Sequence, residues 1–331
     1  MTEKTTDLTY IIVLNWNGWS DTIECLESVL YSKHTNLRVI VCDNASSDNS
    51  MQHLLEWASN KKLVFETVTQ NKVDSNYQPS ESTKLLFINN SGNLGFAGGN
   101  NVGVRQAMKN PGCKYIWLLN NDTTLEFDAL GYAIERMEQD SRIGICGSTL
   151  IYFHDRNKVQ AFGGANYSRW SGSAKHLGAF QSPSNIPLSP TEIERQMSYV
   201  IGAAMLVRRD FIERIGLMRE DYFLYFEEID WATRGLAHYK LGYAPKSIVY
   251  HKEGASIGTS SSGGSGLSVY YLFRNRLLFT WRFHRCFTPT VFVASLIDIV
   301  KHLYRKRWHQ AVFALRGMFR LSAPIPKNKR D

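Results

Sequence analysis

Short, continuously apolar segments alternate with helical patterns through the first half of this sequence, and each apolar segment ends in polar residues. Residues 10–14, 39–42 and 115–119 lack the polar alternation of a half-buried strand, so they predict strands buried on both faces, as in a parallel sheet. The helical patterns between them complete βαβ units. The sequence therefore predicts an α/β fold, with a Rossmann-like, mostly parallel central sheet flanked by helices.

The end of the chain differs from the rest in charge. Residues 270–331 carry 13 Lys and Arg against 2 Asp and Glu, whereas residues 1–269 carry 25 against 28, so the net charge of +8 belongs to the tail. Apolar residues recur there at helical spacing beside a basic stripe, which predicts a basic amphipathic helical region. It either lies on an anionic membrane surface or packs on the remainder of the protein. Its longest apolar run, 287–300, includes Asp298 and is shorter than the about 20 residues that cross a bilayer.

Cysteine usage and the N-terminus bear on the cellular compartment. The five cysteines are scattered without a CxxC pair, which favours a reducing compartment and argues against a thiolate zinc site. The first ten residues are polar and lack the apolar segment of a signal peptide. We expect a cytoplasmic protein held peripherally at the inner face of the cell membrane. Because no groove-reading or base-stacking motif accompanies the basic tail, we expect no nucleic-acid partner.

Polar side chains follow the first two predicted strands where those strands end. Asn15 and Asn17 follow the first strand, and Asp43 follows the second. Ligands bind beyond the carboxyl ends of the strands in open parallel sheets, so these residues are candidates for a binding site. A carboxylate such as Asp43 can accept a hydrogen bond from the imide N–H of uracil or thymine. Taken alone, Asp43 in the segment DNASSDNS is more typical of a turn that caps the next helix.

Two later strand ends carry possible metal ligands. Asp122 follows a very apolar strand, in the triplet Asn120-Asn121-Asp122, and His251 ends a late apolar run. A hard divalent cation bound mainly by substrate phosphates needs only one or two protein carboxylates, so Asp122 is a candidate ligand. A histidine nitrogen would shift the preference from Mg²⁺ towards Mn²⁺. The alternatives are a helix cap for Asp122 and a hydrogen-bonded structural role for His251.

Two further segments are candidates for chemistry. Residues 90–101 are glycine-rich and open a predicted helix, which suits phosphate, but the block matches neither the dinucleotide fingerprint nor a P-loop. Glu227, Glu228 and Asp230 follow an aromatic run. Their mutual repulsion and lost solvation would raise a carboxyl pKa towards the range of a general base. They are equally typical of the first turn of a helix.

Taken together, these motifs resemble the family-two inverting glycosyltransferases, which have the GT-A fold, and most closely their bacterial rhamnosyltransferase-like branch. The resemblance runs from about residue 10 to residue 317. Six blocks in the family's order carry it: IIVLNWNGWSDTIECLESVL, VIVCDNASSDNS, NNSGNLGFAGGNNVGV, WLLNNDTTL, IGAAMLVRRDFIERIG with FLYFEEIDWATR, and YYLFRNRLLF. It implies a GT-A catalytic domain at 1–269, with a nucleotide-binding half at about 8–125 and an acceptor half at about 126–269, followed by the basic helical region at 270–331.

The resemblance also implies residues that bind a nucleotide-diphosphate sugar. Asp43 would bind the pyrimidine base. The other implied donor contacts are Asn15, Asn17, Asn93, Gly95, Asn100, Asn120 and Asn121. The family's DxD metal motif falls on residues 120–122, where only the last acid is present. Asp122 would therefore bind Mn²⁺ or Mg²⁺, together with His251, which matches a histidine found in several relatives.

The family's Glu-Asp base motif falls on Glu227-Glu228. Glu228 is therefore the expected base, which takes the acceptor hydroxyl proton as the oxygen attacks the anomeric carbon with inversion. Because Glu replaces Asp at this position, Asp230 and Glu227 stay open as alternatives. Arg234 would orient this helix by pairing with an acid. The Gly/Ser-rich segment 256–268 would close over the donor and exclude water.

The resemblance favours one activity and leaves others open. Transfer of rhamnose from dTDP-rhamnose to a glycan or polyprenyl-linked glycan, in cell-surface polysaccharide synthesis, is favoured by the GFAGGNN and YYLFRNRLLF blocks. One alternative is galactofuranosyl or glucosyl transfer from a UDP-sugar. The other is a protein that binds a nucleotide sugar without catalysis.

Overall fold

The computed structural model describes residues 8–187, 189–252 and 265–320. In this part of the chain the strands are β1 (Leu8–Asn15), β2 (Leu37–Asp43), β3 (Phe65–Thr69), β4 (Leu85–Asn89), β5 (Cys113–Asn120), β6 (Thr123–Leu125), β7 (Ile143–Tyr152), β8 (Val159–Phe162), β9 (Gly164–Ser168), β10 (Ser173–His176), β11 (Tyr199–Val200), β12 (Ala204–Arg208) and β13 (Lys240–His251). The helices are α1 (Trp19–Leu30), α2 (Ser50–Asn60), α3 (Gln70–Asp74), α4 (Gly95–Met108), α5 (Ala129–Gln139), α6 (Thr191–Gln196), α7 (Arg209–Ile215), α8 (Glu227–Gly235), α9 (Gly266–Phe283), α10 (Thr288–Tyr304) and α11 (Trp308–Met318).

Most of these strands form one mixed sheet, which has ten strands within the described residues. β1 lies between β2 and β5 and is parallel to both, and β4 and β3 extend this parallel half. β12 pairs antiparallel with β5 and β7, β13 runs parallel to β7, and β6 pairs antiparallel with β13. The predicted α/β fold, with a mostly parallel sheet flanked by helices, is confirmed.

The central strands are buried on both faces, as their continuous apolar sequences predict. In β1, Ile12 packs into the core on one side of the sheet, while Ile11 and Val13 pack on the other, and all three are fully buried. Residues of α4 belong to the first core, and residues of α1 and α2 belong to the second. Because both faces are occupied by apolar packing, the polar groups of these strands collect at their ends.

Two of the predicted site segments open helices. α4 begins at Gly95, within the glycine-rich segment 90–101, and Asn93 Oδ1 accepts a hydrogen bond from the Gly95 N–H at this point. α8 begins at Glu227 and ends at Gly235. Residues 253–264, which include most of the Gly/Ser-rich segment proposed to close over the donor, lie outside the described residues.

The three C-terminal helices pack on one another and on the sheet domain. Their shared core includes Phe273 of α9, Ile299 of α10 and Ala314 of α11. A second cluster joins α9 to α8 and to the loop before it. α9 begins at Gly266, so it crosses the predicted boundary at residue 270. The helical region is thus joined to the remainder of the protein through α9.

Candidate active site

A cavity of ≈ 330 Å³ opens beyond the carboxyl ends of β1, β5 and β13. The start of α4, the loop before α8 and the start of α9 complete its wall. The lining residues are Leu14, Trp16, Asn44, Asn93, Gly95, Phe96, Asn120, Asn121, Asp122, Gln160, His176, Phe223, Leu224, Tyr225, His251 and Leu267. The fold therefore brings together six predicted site residues that are widely separated in sequence: Asn93, Gly95, Asn120, Asn121, Asp122 and His251.

Asp122 and His251 face each other in this cavity. His251 Nε2 lies 3.1 Å from Asp122 Oδ1, and both side chains are buried. They meet because β13 pairs with β6, which places His251 opposite Thr123, the residue after Asp122. On the other side of the ring, His251 Nδ1 donates to Gln160 Oε1 at 2.9 Å. With a cation bound, the neutral imidazole would keep its proton on Nδ1 and direct the lone pair of Nε2 towards the ion beside Asp122.

This pair fits a divalent cation. Burial tends to raise the pKa of Asp122, but the hydrogen bond and charge of His251 outweigh it and hold the pKa below its usual value, so the carboxylate is ionised. Two cis ligands of an octahedral ion with bonds of about 2.1 Å lie about 3 Å apart, close to the observed 3.1 Å. The described residues contain no cluster of three or more His, Cys, Asp or Glu that could hold a metal. Further ligands would therefore come from a bound phosphate or from water.

Asn120 and Asn121 flank the carboxylate in the cavity wall. The Asn120 amide nitrogen lies 3.5 Å from His251 Nε2. The Asn121 amide nitrogen donates to Gly18 O at 3.2 Å and to Thr22 Oγ1 at 3.0 Å. Asn121 thus ties the end of β5 to the start of α1, and the contacts of both asparagines with a donor stay predictions.

Asn15 and Asp43 form a buried pair beside the cavity and are not among its lining residues. Asn15 Nδ2 donates to Asp43 Oδ1 at 2.6 Å, and Ser46 donates to the same carboxylate through its N–H and its hydroxyl. A carboxylate offers about four acceptor positions, so one is left for the imide of a base. Asn17 is exposed, and its Oδ1 accepts the Ser47 N–H at 2.7 Å. The donor contacts predicted for these residues stay predictions.

The start of α4 packs directly against the loop before α8. Gly95 has a φ of +72°, and a Cβ at this position would lie 2.2 Å from Phe223 O, so only glycine fits. The Gly95 N–H donates to Asn93 Oδ1 at 3.0 Å, and the Phe96 N–H donates to Phe223 O at 2.8 Å. These two N–H groups are already engaged and do not point at a phosphate. Asn100 bonds back to Phe96 O and does not line the cavity.

Glu228 adjoins the cavity through Phe96. A Cβ added to Gly202 would meet Glu228 Oε1 at 2.6 Å and Phe96 Cζ at 3.0 Å, so the carboxylate lies beside the cavity-lining ring. Burial raises the pKa of Glu228 above its ordinary value of 4.5. A raised pKa strengthens a carboxylate as a general base.

Glu227 and Asp230 have different surroundings from Glu228. Glu227 is buried, and its Oε2 lacks a hydrogen-bond partner among the described residues. Burial, followed by the charge of Glu228, raises the pKa of Glu227 well above 4.5. Asp230 is fully buried and accepts hydrogen bonds from Tyr222 Oη at 2.9 Å and Arg234 Nε at 2.7 Å. The predicted pairing of Arg234 with an acid is confirmed, and this ion pair argues against Asp230 as the base.

The loop that leads into Glu227 has an unusual backbone. Three of its residues have positive φ: Phe223 (66°), Tyr225 (65°) and Phe226 (75°). Such conformations cost non-glycine residues about 1–3 kcal/mol each. Asn275 of α9, which is fully buried, holds the loop by donating to three backbone carbonyls. These are Tyr222 O at 2.8 Å, Leu224 O at 2.8 Å and Tyr225 O at 3.0 Å.

Sequence reasoning missed several residues of the cavity wall. Gln160 belongs to no motif, and its contact with His251 depends on the pairing of β8 with β7. Trp16 and Asn44 lie within the strand-end clusters, so the same strand-end rule could have included them. His176 comes from β10, and no pattern in the sequence indicates that this strand reaches the site, whereas Leu267 belongs to the segment 256–268 that was predicted to lie over the donor.

A strand-end cavity, a buried carboxylate–imidazole pair and a nearby glutamate pair, on a mostly parallel sheet, define a GT-A-like nucleotide-sugar enzyme. Solved structures share the fold. A mannosyltransferase from Pyrobaculum calidifontis, in complex with GDP-Man and Mn²⁺, has a TM-score of 0.53 and 12% identity over 94% of this chain and 86% of that chain. GalNAc-T7 with UDP, GalNAc and Mn²⁺ has a TM-score of 0.56 and 14% identity over 82% of this chain and 48% of that chain.

Residues 10–216 match the glycosyl transferase family 2 domain, and the chain belongs to this family. A curated relative, the low-salt glycan biosynthesis hexosyltransferase Agl10 of Haloferax volcanii, is 22% identical over 273 residues, which cover 81% of this chain and 74% of that protein. The predicted family and fold are confirmed. The protein is a glycosyltransferase that takes its sugar from a nucleotide-sugar donor, and its place in the rhamnosyltransferase-like branch stays a prediction.

Proposed function

We propose that this glycosyltransferase moves rhamnose from dTDP-rhamnose to a hydroxyl of a glycan or polyprenyl-linked glycan, with inversion and with the aid of a divalent cation. The observation that carries the proposal is one cavity that joins the Asp122–His251 pair to the Phe96 wall beside Glu228. The choice of rhamnose is supported by the GFAGGNN and YYLFRNRLLF blocks. The Agl10 relative, which is named as a hexosyltransferase, supports a hexose donor more broadly.

At the donor end, Asp122 and His251 would hold Mn²⁺ or Mg²⁺ at the diphosphate. When bound, that ion supplies positive charge against the charge that develops on the departing nucleoside diphosphate. Mn²⁺ is favoured because one of the two ligands is a histidine nitrogen, and the Pyrobaculum mannosyltransferase was solved with this ion. Gln160 orients the ring of His251, and Asp43 accepts the imide N–H of the pyrimidine base.

At the acceptor end, Glu228 takes the proton of the attacking hydroxyl onto its carboxylate. The hydroxyl oxygen forms the new bond to the anomeric carbon as the bond to the diphosphate breaks on the opposite face, so the configuration inverts. The raised pKa of Glu228 suits this proton transfer. Burial and the charge of Glu228 raise the pKa of Glu227 well above 4.5, which favours a single negative charge on the adjacent pair.

Glu228→Gln tests the base. This variant keeps the size of the side chain but cannot accept a proton, so we expect transfer to fall by about 10²–10⁴-fold while donor binding is retained. The matched control is Glu192→Gln, an exposed change on α6 that should leave the rate unaltered. Transfer at the wild-type rate by the Glu228 variant would exclude it as the base.

A panel of nucleotide sugars, titrated by calorimetry with and without Mn²⁺ and then assayed for transfer by mass shift, tests the donor. We expect dTDP-rhamnose to bind most tightly, and Asp122→Asn to remove the gain from Mn²⁺. A preference for UDP-galactofuranose or UDP-glucose would replace rhamnose in the proposal. Tight binding with no transfer to any lipid-linked acceptor would indicate a non-catalytic binding protein.

A further inference from the structure

The outer surfaces of α10 and α11 carry a row of exposed apolar side chains, here called the apolar tail face. Its members are Val293, Leu296, Ile297, Val300 and Tyr304 on α10, Trp308, Val312 and Leu315 on α11, and Phe319 directly after α11. On each helix they recur at spacings of three or four residues, so they share one side. The Phe292 and Phe319 rings, with centroids 6.3 Å apart, connect the two helices at one end.

The packing of the tail does not use this face. Other residues fill the shared core of the tail: α10 contributes Ile299, and α11 contributes Ala311, Ala314 and Met318. Val300 is 62% exposed and Trp308 is 65% exposed. Contiguous exposed apolar surface of this kind marks an interaction site in soluble proteins.

Positive charge borders the apolar tail face. Arg305 and Lys306 are exposed in the connection between α10 and α11, and Arg320 is exposed after the end of α11. The aromatic residues Tyr304 and Trp308 flank this basic connection and are themselves exposed. Apolar side chains that enter the acyl region, with Tyr, Trp, Lys and Arg at their edge, match the layers of an anionic bilayer surface.

We propose that the apolar tail face docks this protein on the surface of an anionic phospholipid bilayer, with α10 and α11 lying in the interface. A protein partner would offer complementary apolar surface, but it would give no reason for the basic rim. The residues 270–331 carry 13 basic against 2 acidic side chains, which supplies the long-range attraction to anionic headgroups.

α10 lies on the bilayer in this arrangement and does not cross it. Residues 285–304 form the one stretch, among the described residues, that is long and apolar enough to span a membrane. However, Asp298 in the middle of α10 pairs with Arg276 of α9 at 2.9 Å, and Ile299 packs into the core of the tail. Spanning would separate α10 from α9 and carry the Asp298 charge into the hydrocarbon, which is costly.

The cavity and the tail helices meet at the start of α9. A Cβ on Gly266, at the start of α9, would meet Phe313 and His309 of α11 within 3.0 Å. The next residue, Leu267, lines the cavity. One end of α9 therefore connects α11 to the active site.

Vesicle co-sedimentation of the full chain tests the docking. Vesicles of phosphatidylcholine alone are compared with vesicles that also contain phosphatidylglycerol. We expect binding to the anionic vesicles, weakened by added salt. Val300→Asp and Val312→Asp should each weaken it by about tenfold or more, since each replaces an exposed valine that the bilayer would cover with a charged side chain. Val64→Asp, at a 57% exposed valine far from the tail helices in sequence, is the matched control and should bind as the wild type does.

The remaining outcomes each overturn the proposal. Equal binding of Val64→Asp, Val300→Asp and Val312→Asp to vesicles would show that the apolar tail face is not the contact. Self-association without lipid, abolished by Val300→Asp and accompanied by no vesicle binding, would assign the face to a second copy of the chain. Vesicle-bound protein that resists extraction by alkaline carbonate would indicate a spanning helix. Donor titration of the same variants, expected to match the wild type, separates a failure of docking from a failure of the proposed catalytic function.

Discussion

Replacing Asn275 should loosen the cavity wall more than any surface change of similar size. Its two amide N–H groups serve three carbonyls of the loop before α8, at 2.8, 2.8 and 3.0 Å. Its own oxygen accepts from Arg274 at 2.6 Å, which fixes the orientation of the amide. Asn275→Ala removes these bonds and leaves buried carbonyls without a donor.

The magnitude follows from these contacts. The loss of two hydrogen bonds lowers the free energy of unfolding by about 1 kcal/mol each, and a buried carbonyl left unpaired lowers it by about 1 kcal/mol or more. We therefore expect the free energy of unfolding to fall by roughly 3 kcal/mol. Three residues with positive φ in the same loop would then lose the contact that holds their strained backbone. With an unfolding entropy of about 2.1 cal/mol/K per residue, the 331 residues give about 0.7 kcal/mol/K, so this loss corresponds to a fall in Tm of roughly 4 °C. Because the loop precedes Glu228, we also expect the transfer rate to fall.

Thermal unfolding and donor titration together measure this effect. Asn275→Asp is the sharper variant, since it retains the shape of the side chain but replaces the donor group by an oxygen that faces three carbonyls. The matched control is Asn166→Asp, at an exposed asparagine that makes a single bond to Gln196 O. We expect its Tm to change little. If Asn275→Asp unfolded at the same temperature as the wild type, the loop would need no tether and the reasoning would be refuted.

Two further predictions concern the active site. Gln160→Leu removes the acceptor for His251 Nδ1, so we expect the affinity for Mn²⁺ in the presence of donor to fall by about 10–100-fold, as measured by calorimetry. An unaltered affinity would show that Gln160 does not orient the ligand. Glu227→Gln should flatten the dependence of the free energy of unfolding on pH. Because the pKa of Glu227 is higher in the folded protein than the ordinary value of 4.5, this side chain contributes stability that is complete below pH 4.5 and is lost as the pH rises through the folded-state pKa. Tm measured from acidic to alkaline pH should therefore fall less in this variant than in the wild type, with some slope remaining from Glu228. Parallel curves for the two proteins would contradict a raised pKa of Glu227.

The first half of the fold followed from local sequence patterns. The apolar runs of β1, β2 and β5 predict strands covered on both faces, and the sheet places them next to one another. In a parallel sheet, the polar residues at the carboxyl ends of neighbouring strands lie at the same edge of the sheet. For this reason the sequence located Asp122 and the asparagines beside it in the cavity wall without any knowledge of the later strands.

Other features depend on contacts between distant segments. The approach of His251 to Asp122 requires β13 to pair with β6, and the orientation of its ring requires Gln160 on β8. Neither pairing has a local signal. In the same way, Asp230 was an open alternative as the base until the structure showed its bonds to Tyr222 and Arg234.

The sequence by itself determined the class of fold, the family and the edge of the sheet at which the candidate site lies. It could do so because burial on both faces and polar strand ends are properties of short segments. Only the tertiary structure decided which acid adjoins the cavity, which side chain orients the histidine, and that α9 connects the loop before Glu228 to the two helices that follow it. These depend on desolvation and on partners far along the chain, and the electrostatic environment of a side chain exists only after those partners have packed around it.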